Sequence, residues 1–556
     1  MGIDYTRLTA RGVSARAFEV MVRMRDGVRL ATDVHLPDGD EGRAPGPVIL
    51  TRLPYDKNGK YTFLPEIAAY FNRYGYRVVV QDVRGKFRSE GETLLFVNEA
   101  SDGYDTIDWI VQQPWCDGAV AMWGDSYYGY TQLAAASAGH PALRALAPRV
   151  TGTRLGALPI PGPDDVVGEV EMGVHRLYPL SHFQSNDSFE WEMDWARRPL
   201  VDAVEEWFAT VGERSPTYDL WMPHPVDLRR FPHGHPFDAP AVPILQTIGW
   251  FDNCAPWQWA DVALIAQRPA WHAAQWLLIE AVDHENHDLA HVPYGPETTH
   301  AENADARAAM LPRYLDPAIE FFDIFLRGRG DAAELPRVRW AVAGRDEVRA
   351  SVAWPPPEAV PLTLAARAGG SLAEQHDDVA RPVAWTHDPE NPVPSPVGNA
   401  FAFLYEYPDE RALAQRRDVL AFEAEPVLKD MVLAGPVALE ATIASSGPEM
   451  DLFARLADVA PDGAAHLIAR GQLTLLDASR ETAVRVDLGH AGYALRAGHA
   501  LRLTLASTDA PEFVPAPGTG EHRWLAVERV ANEQTVVIGG TRGVRLTLHV
   551  LPAAQG

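Results

Sequence analysis

Two cysteines, Cys116 and Cys254, are all that 556 residues contain, too few for a disulfide framework. They read as small buried hydrophobes rather than reactive thiols. No apolar run reaches the roughly 18 residues that a membrane span needs. The segment Met1-Gly2-Ile3-Asp4-Tyr5-Thr6-Arg7 lacks the apolar core of a signal peptide. Positive charge is also scarce: 49 Lys+Arg against 75 Asp+Glu give a formal net charge of -26. That balance argues against nucleic acid and anionic membranes as partners, and the surplus is spread along the chain as solvated surface. There is no internal repeat and no low-complexity tract. Together these absences predict a cytoplasmic globular protein.

What is present is ordinary core material, with 47% hydrophobic and 22% charged residues. The length exceeds what one core supports, so roughly two to four domains are expected. Three styles follow one another. Up to about residue 145, apolar strands alternate with helices, the sign of an α/β sheet. Pro47–Thr51 and Tyr76–Val80 read as buried parallel strands, and the style returns at Pro243–Ile248 and Trp276–Ile279. A helix starting at an Asp316 cap, with Pro317 in its first turn and Gly328 past its end, closes this part. Between about 150 and 240 the composition shifts to Trp, Pro, Glu and Asp at helical spacing, as in Glu190–Trp195, which suits a lid over the sheet. After about 335, Val437–Ile443, Ala500–Leu505 and Val544–Leu548 alternate with period two between turn residues. Such a run predicts an all-β sandwich or jelly roll. The predicted boundaries are 1–145 and 241–335 for an α/β core in two parts, 146–240 for a helical cap, and 336–556 for the jelly roll.

The most informative stretch is Ala119-Val120-Ala121-Met122-Trp123-Gly124-Asp125-Ser126-Tyr127-Tyr128-Gly129. An apolar strand stops at Gly124, Ser126 follows, and a helical pattern begins at once. Strand, sharp turn and helix form a nucleophile elbow that pushes a serine hydroxyl outward. Glycines at 124 and 129 suit a turn too close-packed for a Cβ. The new helix aims free amide N–H groups, beginning with Tyr127, at negative charge forming beside Ser126. The simpler reading of such a serine is a helix cap.

Serine becomes a nucleophile only when a base takes its proton and a carboxylate orients that base. On this fold the order along the chain is Ser, then Asp or Glu, then His. Asp252 follows the strand ending in Gly249-Trp250-Phe251, and His284 lies just past the next strand. His287, His291 and His272 compete for the base, but His284 has the strand-end position. Asp252 could instead cap the segment after it.

With those residues in place a family resemblance emerges. Gln81-Asp82-Val83-Arg84-Gly85, Ser89-Glu90-Gly91, Asn98-Glu99-Ala100, Asp102-Gly103-Tyr104-Asp105, Gln113-Pro114-Trp115 and the elbow carry its first part. Gly249-Trp250-x-Asp252, Phe321–Gly328, Trp354-Pro355-Pro356-Pro357, Asp418-Val419-Leu420 and Asp451–Val459 carry the rest. The combined pattern resembles the cocaine esterase family, which also holds α-amino-acid ester hydrolases, glutaryl cephalosporin acylases and X-Pro dipeptidyl-peptidases. The resemblance implies an α/β-hydrolase core, an inserted helical cap and a C-terminal jelly roll. It implies Ser126 as nucleophile, Asp252 as orienting acid and His284 as general base. It also implies that the Tyr55 hydroxyl, in Arg52-x-Pro54-Tyr55, joins the Tyr127 N–H in the oxyanion hole. One departure stands out: the family's usual Gly-Pro-Trp before the histidine is replaced by Glu280-Ala281-Val282-Asp283.

The predicted activity is hydrolysis of a small-molecule carboxylic ester or amide through an acyl-enzyme on Ser126, with no metal or organic cofactor. Acyl transfer, peptidase or acylase action would use the same triad. Two readings of another class remain open. His284-Glu285-x-His287-Asp288-x-x-His291 with His233-Gly234-His235 could ligate a metal, though without the helical His-Glu-x-x-His spacing. A silent core with a carbohydrate-binding jelly roll is the other. Glu169, Glu171, Glu192 and Asp194 in the cap are candidates for binding a substrate amino group, or surface charges. A homo-oligomer is compatible with the sequence.

Overall fold

In the computed structural model, residues 17–552 are described, apart from 60, 163, 182–192, 224, 226–227, 291–298, 301–302 and 398–406. The first sheet collects the apolar runs of the first and third segments. Its strands are β1 (Ala17–Arg23), β2 (Arg29–His35), β3 (Gly46–Leu53), β4 (Arg77–Asp82), β5 (Cys116–Asp125) and β6 (Leu143–Arg149). After a short β7 (Val167–Gly168) in the insertion come β8 (Ile244–Gly249), β9 (Gln275–Glu280), β10 (Val338–Ala341) and β11 (Val348–Ser351). The 10 strands lie in the order β1-β2-β4-β3-β5-β6-β8-β9-β10-β11. From β4 to β10 every neighbouring pair is parallel, and antiparallel strands close both edges. Strands such as β3 and β4 are buried along their whole length, as a sheet covered on both faces requires.

The covering helices are α1 (Gly39–Arg43), α2 (Leu64–Arg73), α3 (Glu99–Val111) and α4 (Ser126–Ser137), then α5 (Gly173–Ser181), α6 (Leu200–Val211) and α7 (Pro216–Trp221) in the insertion. Helices α8 (Ala255–Ala266), α9 (Pro269–Ala273) and α10 (Ala304–Arg327) follow. Helix α4 is buried from Tyr127 to Ser137 and so has no polar stripe. Helix α10 corrects the sequence reading. It begins not at Asp316 but at an Asn303 cap, whose side chain accepts from the N–H groups of Asp305 and Ala306 at 2.9 and 3.1 Å. Pro312 and Pro317 both lie inside it. An interior proline costs about 3 kcal/mol, and the packing of Met310, Leu311, Tyr314, Leu315, Ile319, Phe321 and Phe322 offsets that cost. The far end is as predicted, with Gly328 left-handed at φ 65°.

The second sheet has 12 strands, running from β12 (Val360–Arg367) to β22 (Arg545–Val550) and joined at one edge by β7. The insertion is thus stitched into the C-terminal domain: Val167 and Gly168 pair with Leu475 and Thr474. Leu200, Val204, Phe208 and Tyr218 of the insertion share a cluster with Val514 and Trp524. Of the segment 190–195, residues 190–192 lie outside the described residues, and Met193–Trp195 are not helical. The structure also moves two predicted boundaries. β6 carries the first half of the core to Arg149 rather than 145, and β10 and β11 continue the core sheet past 335. Short strands without a helix between them cannot be assigned to one sheet or the other by period alone.

One apolar cluster runs from the first sheet into the second, through Ile248, Trp250, Trp259, Ile279 and Trp340 to Leu433, Leu439 and Tyr493. The predicted stiff segment supplies Trp354, whose ring lies 5.2 Å from those of Trp250 and Trp340. Trp250→Ala is expected to destabilise the protein by about 3–5 kcal/mol. Phe18→Ala, at an exposed edge position, should cost less than about 0.5 kcal/mol. Guanidinium denaturation of the two variants side by side checks this.

Candidate active site

The parallel strands place the predicted residues on one edge of the sheet. Ser126 follows β5, Asp252 follows β8 and His284 follows β9. Asp252 and His284 therefore come from adjacent strands, with β6 between them and the serine. His284 Nε2 lies 2.9 Å from Ser126 Oγ, and its Nδ1 lies 2.7 Å from Asp252 Oδ1. Asp252 Oδ1 also accepts from the Cys254 N–H at 3.0 Å. Burial opposes charge on this imidazole, but the Asp252 carboxylate at Nδ1 outweighs it and holds the His284 pKa above its ordinary value.

The elbow is strained as its sequence predicts. Ser126 sits at φ 48°, where a side chain costs of order 1–3 kcal/mol. A Cβ on Gly124 (φ 148°) would lie 2.1 Å from the Tyr128 ring, and one on Gly129 would lie 2.7 Å from Thr151 Cγ2. Tyr128 is packed into the core rather than projecting into a pocket. Tyr127 is buried, donates its hydroxyl to Glu99 Oε1 at 2.9 Å and accepts from the Phe96 N–H at 2.8 Å. Glu99 in turn accepts from Arg52 at 2.8 Å. This buried chain fixes the first turn of α4, whose N–H groups have no intrahelical acceptor.

Tyr55 reaches the same place from the loop after β3. Its hydroxyl lies 2.8 Å from that of Tyr178 on α5, with Ser126 and His284 near enough to favour its ionised form. Burial pushes its pKa up to about 12, so it stays protonated, and a donor, at neutral pH. Tyr61, with its ring 5.9 Å from that of Tyr55, donates to Glu285 at 2.7 Å. Tyr178 was not legible in the sequence: it belongs to no motif, and only the packing of the insertion brings it to Tyr55.

The sequence sets Asp125 beside the nucleophile, pointing away from it, but reveals neither its partners nor the place of Cys254 at the triad. Cys254 is fully buried, as predicted, but its Sγ lies 3.7 Å from His284 Nδ1, directly on the triad. Burial raises its pKa to about 11, so it is a neutral thiol. Asp125 anchors a brace behind the elbow. Arg149, at the end of β6, places Nε 3.2 Å from Asp125 and donates through Nη2 to Glu280 at 2.8 Å and to the Asn286 side chain at 2.9 Å. Asn286, at φ 62°, donates back to Asp125 at 2.8 Å, and Tyr314 also donates to Asp125. Burial raises the Asp125 pKa, whereas at Glu280 the Arg149 and Arg313 charges outweigh burial and lower it.

The brace explains the departure in the histidine loop. Glu280 accepts from Arg149, while Asp283 accepts from the backbone N–H of His287 at 2.9 Å and lies 3.0 Å from its Nδ1. The competing histidines are thereby accounted for: His287 is held by Asp283, His272 lies in α9, and His291 falls outside the described residues. His233 is exposed and His235 accepts from the Phe237 N–H. Among the described residues His284 shares no group of potential metal ligands with His287, His233 or His235; its neighbours of that kind are Asp252 and Cys254. Among the cap carboxylates, Glu169 pairs with Arg154, Glu171 with Arg176, and Asp194 accepts from the Ala196 N–H. Glu192 lies outside the described residues.

Arg149→Met leaves Asp125 and Glu280 buried without their shared cation. It should cost about 3–5 kcal/mol of stability and lower turnover by loosening the histidine loop. Arg149→Lys, which keeps the charge but not the fork, should fall between. Chemical denaturation and kcat for both variants test this.

Comparison with known proteins gives the chain's relatives. Residues 26–286 match the family model of X-Pro dipeptidyl-peptidase (S15 family), and residues 331–546 match that of the X-Pro dipeptidyl-peptidase C-terminal non-catalytic domain. The cocaine esterase of Rhodococcus sp. (strain MB1 Bresler) is 29% identical, over 96% of this chain and 98% of its own length. In fold, the chain matches an aminopeptidase from a marine sediment Thaumarchaeota archaeon with a TM-score of 0.78 at 21% identity, covering 99% of this chain and 97% of the other. An α-amino acid ester hydrolase matches with a TM-score of 0.77 at 22% identity, covering 99% of each. With both family models matched in sequence order and one relative aligned almost end to end, the chain belongs to the cocaine esterase and X-Pro dipeptidyl-peptidase-like family of serine α/β-hydrolases, enzymes that cleave ester or peptide bonds.

Proposed function

We propose that the protein hydrolyses a small-molecule carboxylic ester through an acyl-enzyme on Ser126. The observation that carries this is the unbroken relay from Ser126 Oγ to His284 Nε2 at 2.9 Å and from His284 Nδ1 to Asp252 at 2.7 Å. With its proton on Nδ1 and shared with Asp252, His284 accepts the hydroxyl proton as Ser126 attacks the carbonyl carbon. The negative charge develops on the carbonyl oxygen, beside the Tyr55 hydroxyl and the Tyr127 N–H. His284 then returns the proton to the departing alkoxide, and a water deprotonated by the same ring releases the acid. Tyr178 orients the Tyr55 hydroxyl without touching the reacting atoms.

The end-to-end match to a cocaine esterase supports an ester as the bond cleaved. The S15 peptidase model over the first half supports a second reading, cleavage of an X-Pro peptide bond by the same residues. Transfer of the acyl group to an amine or alcohol would also need no further catalytic group. The net charge of -26 fits a small-molecule substrate better than a polyanion. The free thiols of Cys116 and Cys254 suit a reducing compartment such as the cytoplasm.

A fluorophosphonate probe should label Ser126, found by peptide mass spectrometry, and Ser126→Ala should label nowhere. Labelling elsewhere, or none, overturns the assignment. Parallel assays with p-nitrophenyl esters and X-Pro anilides rank the two bonds, with the esters expected to turn over faster. Tyr55→Phe should lower kcat by about 100- to 1,000-fold, and Tyr178→Phe by less than about tenfold.

The pH dependence follows from the raised pKa of His284. The neutral ring is the base, so kcat/KM should fall with unit slope as pH drops through that pKa, above the usual histidine value of 6.5. Asp252→Asn should move this acid limb to lower pH while reducing the plateau by about 10,000-fold. A kcat/KM profile that stays flat below neutral pH would exclude His284 as the base.

A further inference from the structure

We propose that Cys254, Asp252 and His284 form an inhibitory site for a thiophilic divalent cation such as Zn2+ or Cd2+. The proposal deepens the serine-hydrolase reading, on which its inhibitory consequence rests. A ligand atom from each of the three residues lies within 4.8 Å of the others. Tetrahedral zinc with ordinary bond lengths needs sulfur and imidazole nitrogen about 3.6 Å apart. Cys254 Sγ and His284 Nδ1 are 3.7 Å apart. The same geometry needs nitrogen and carboxylate oxygen about 3.4 Å apart. Nδ1 and Asp252 Oδ1, at 2.7 Å, would therefore open by several tenths of an ångström.

Two further observations single out this cluster. Asp252 is 5% exposed, yet its Oδ2 has no hydrogen-bond partner among the described residues. A buried carboxylate oxygen of that kind calls for a compensating group. Cys254 is the N-cap of α8, but its side chain makes no capping hydrogen bond. Serine, threonine, asparagine or aspartate would supply that bond, so helix capping does not explain a cysteine at 254.

Coordination would invert the relay. The cation takes the sulfur as thiolate and releases its proton to solvent. It also takes the Nδ1 lone pair, so the proton carried there moves through solvent to Nε2. Nε2 then donates to Ser126 Oγ instead of accepting from it, and the serine is no longer activated. One thiol proton is released for each cation bound, and nothing is oxidised or reduced.

The test uses the full chain with Cys116→Ser, so that Cys254 is its sole thiol, and Cd2+ as the probe. One equivalent of Cd2+ should produce the ultraviolet thiolate-to-metal charge-transfer band and slow fluorophosphonate labelling of Ser126, both reversed by chelator. Loss of even outer partners of a metal site costs about 10- to 100-fold in affinity. Adding Cys254→Ser should therefore remove the band and raise the half-inhibiting Cd2+ concentration at least about tenfold. Each variant is scored against its own metal-free rate. His284→Gln, which keeps the thiol, should weaken the band and covers the case in which Cys254→Ser fails to fold. No band near one equivalent, or unchanged inhibition in Cys254→Ser, would overturn the proposal. Because the band reads the metal without reference to catalysis, a protein that never labels would sink the hydrolase reading alone.

Discussion

Everything in this site depends on one buried guanidinium. Arg149 stands at the end of the strand that separates the serine from its partners, and it ties together the ends of β5 and β9 and the loop beyond. A charge so placed is costly to bury, and its anionic neighbours at 125 and 280 make it tolerable. The consequence is positional. A strained serine and a histidine from a non-adjacent strand are held against one rigid fork, so their separation does not depend on the loops alone. Arginine suits this task because its planar fork donates in several fixed directions at once.

The second constraint is the buried aromatic environment beside the serine. Tyr55 lies edge-on to Tyr61, Tyr127 and Tyr128, with ring centroids 5.9, 6.4 and 6.3 Å away. Burial disfavours ionisation of the Tyr55, Tyr127 and Tyr128 phenols, so the Tyr55 hydroxyl remains a donor where an oxyanion would need it. It also makes each hydrogen bond stronger than it would be in water.

How much of this was legible in the sequence varied with the range of the interaction. The elbow was, because its strand, glycines and helix are contiguous and the steric demand at Gly124 is local. Asp252 and His284 were, because strand ends on a parallel sheet share an edge whatever lies between. The start of α10 was misread because proline usually opens a helix, and here long-range packing overrode that preference at Pro312 and Pro317. Tyr178, Cys254 and the brace through Arg149 were invisible for one reason. Each acts through a contact across a turn or a fold, and no local pattern encodes the partner. Several motif residues that carried the family resemblance are structural rather than chemical: Arg84 pairs with Asp102, and Glu99 with Arg52.

The stitching of the insertion and the sandwich into the hydrolase core has a bearing on how such an enzyme diversifies. Tyr407, from the C-terminal domain, places its ring 4.8 Å from Phe251, next to the acid of the relay, and Tyr178, from the insertion, sets its hydroxyl 2.8 Å from that of Tyr55. Part of the surroundings of the reacting atoms thus belongs to segments that carry none of the proton-transfer machinery. Substitutions there can accumulate without touching the relay or the elbow. Selectivity and reactivity are therefore written in separate stretches of the chain, and one can drift while the other is kept.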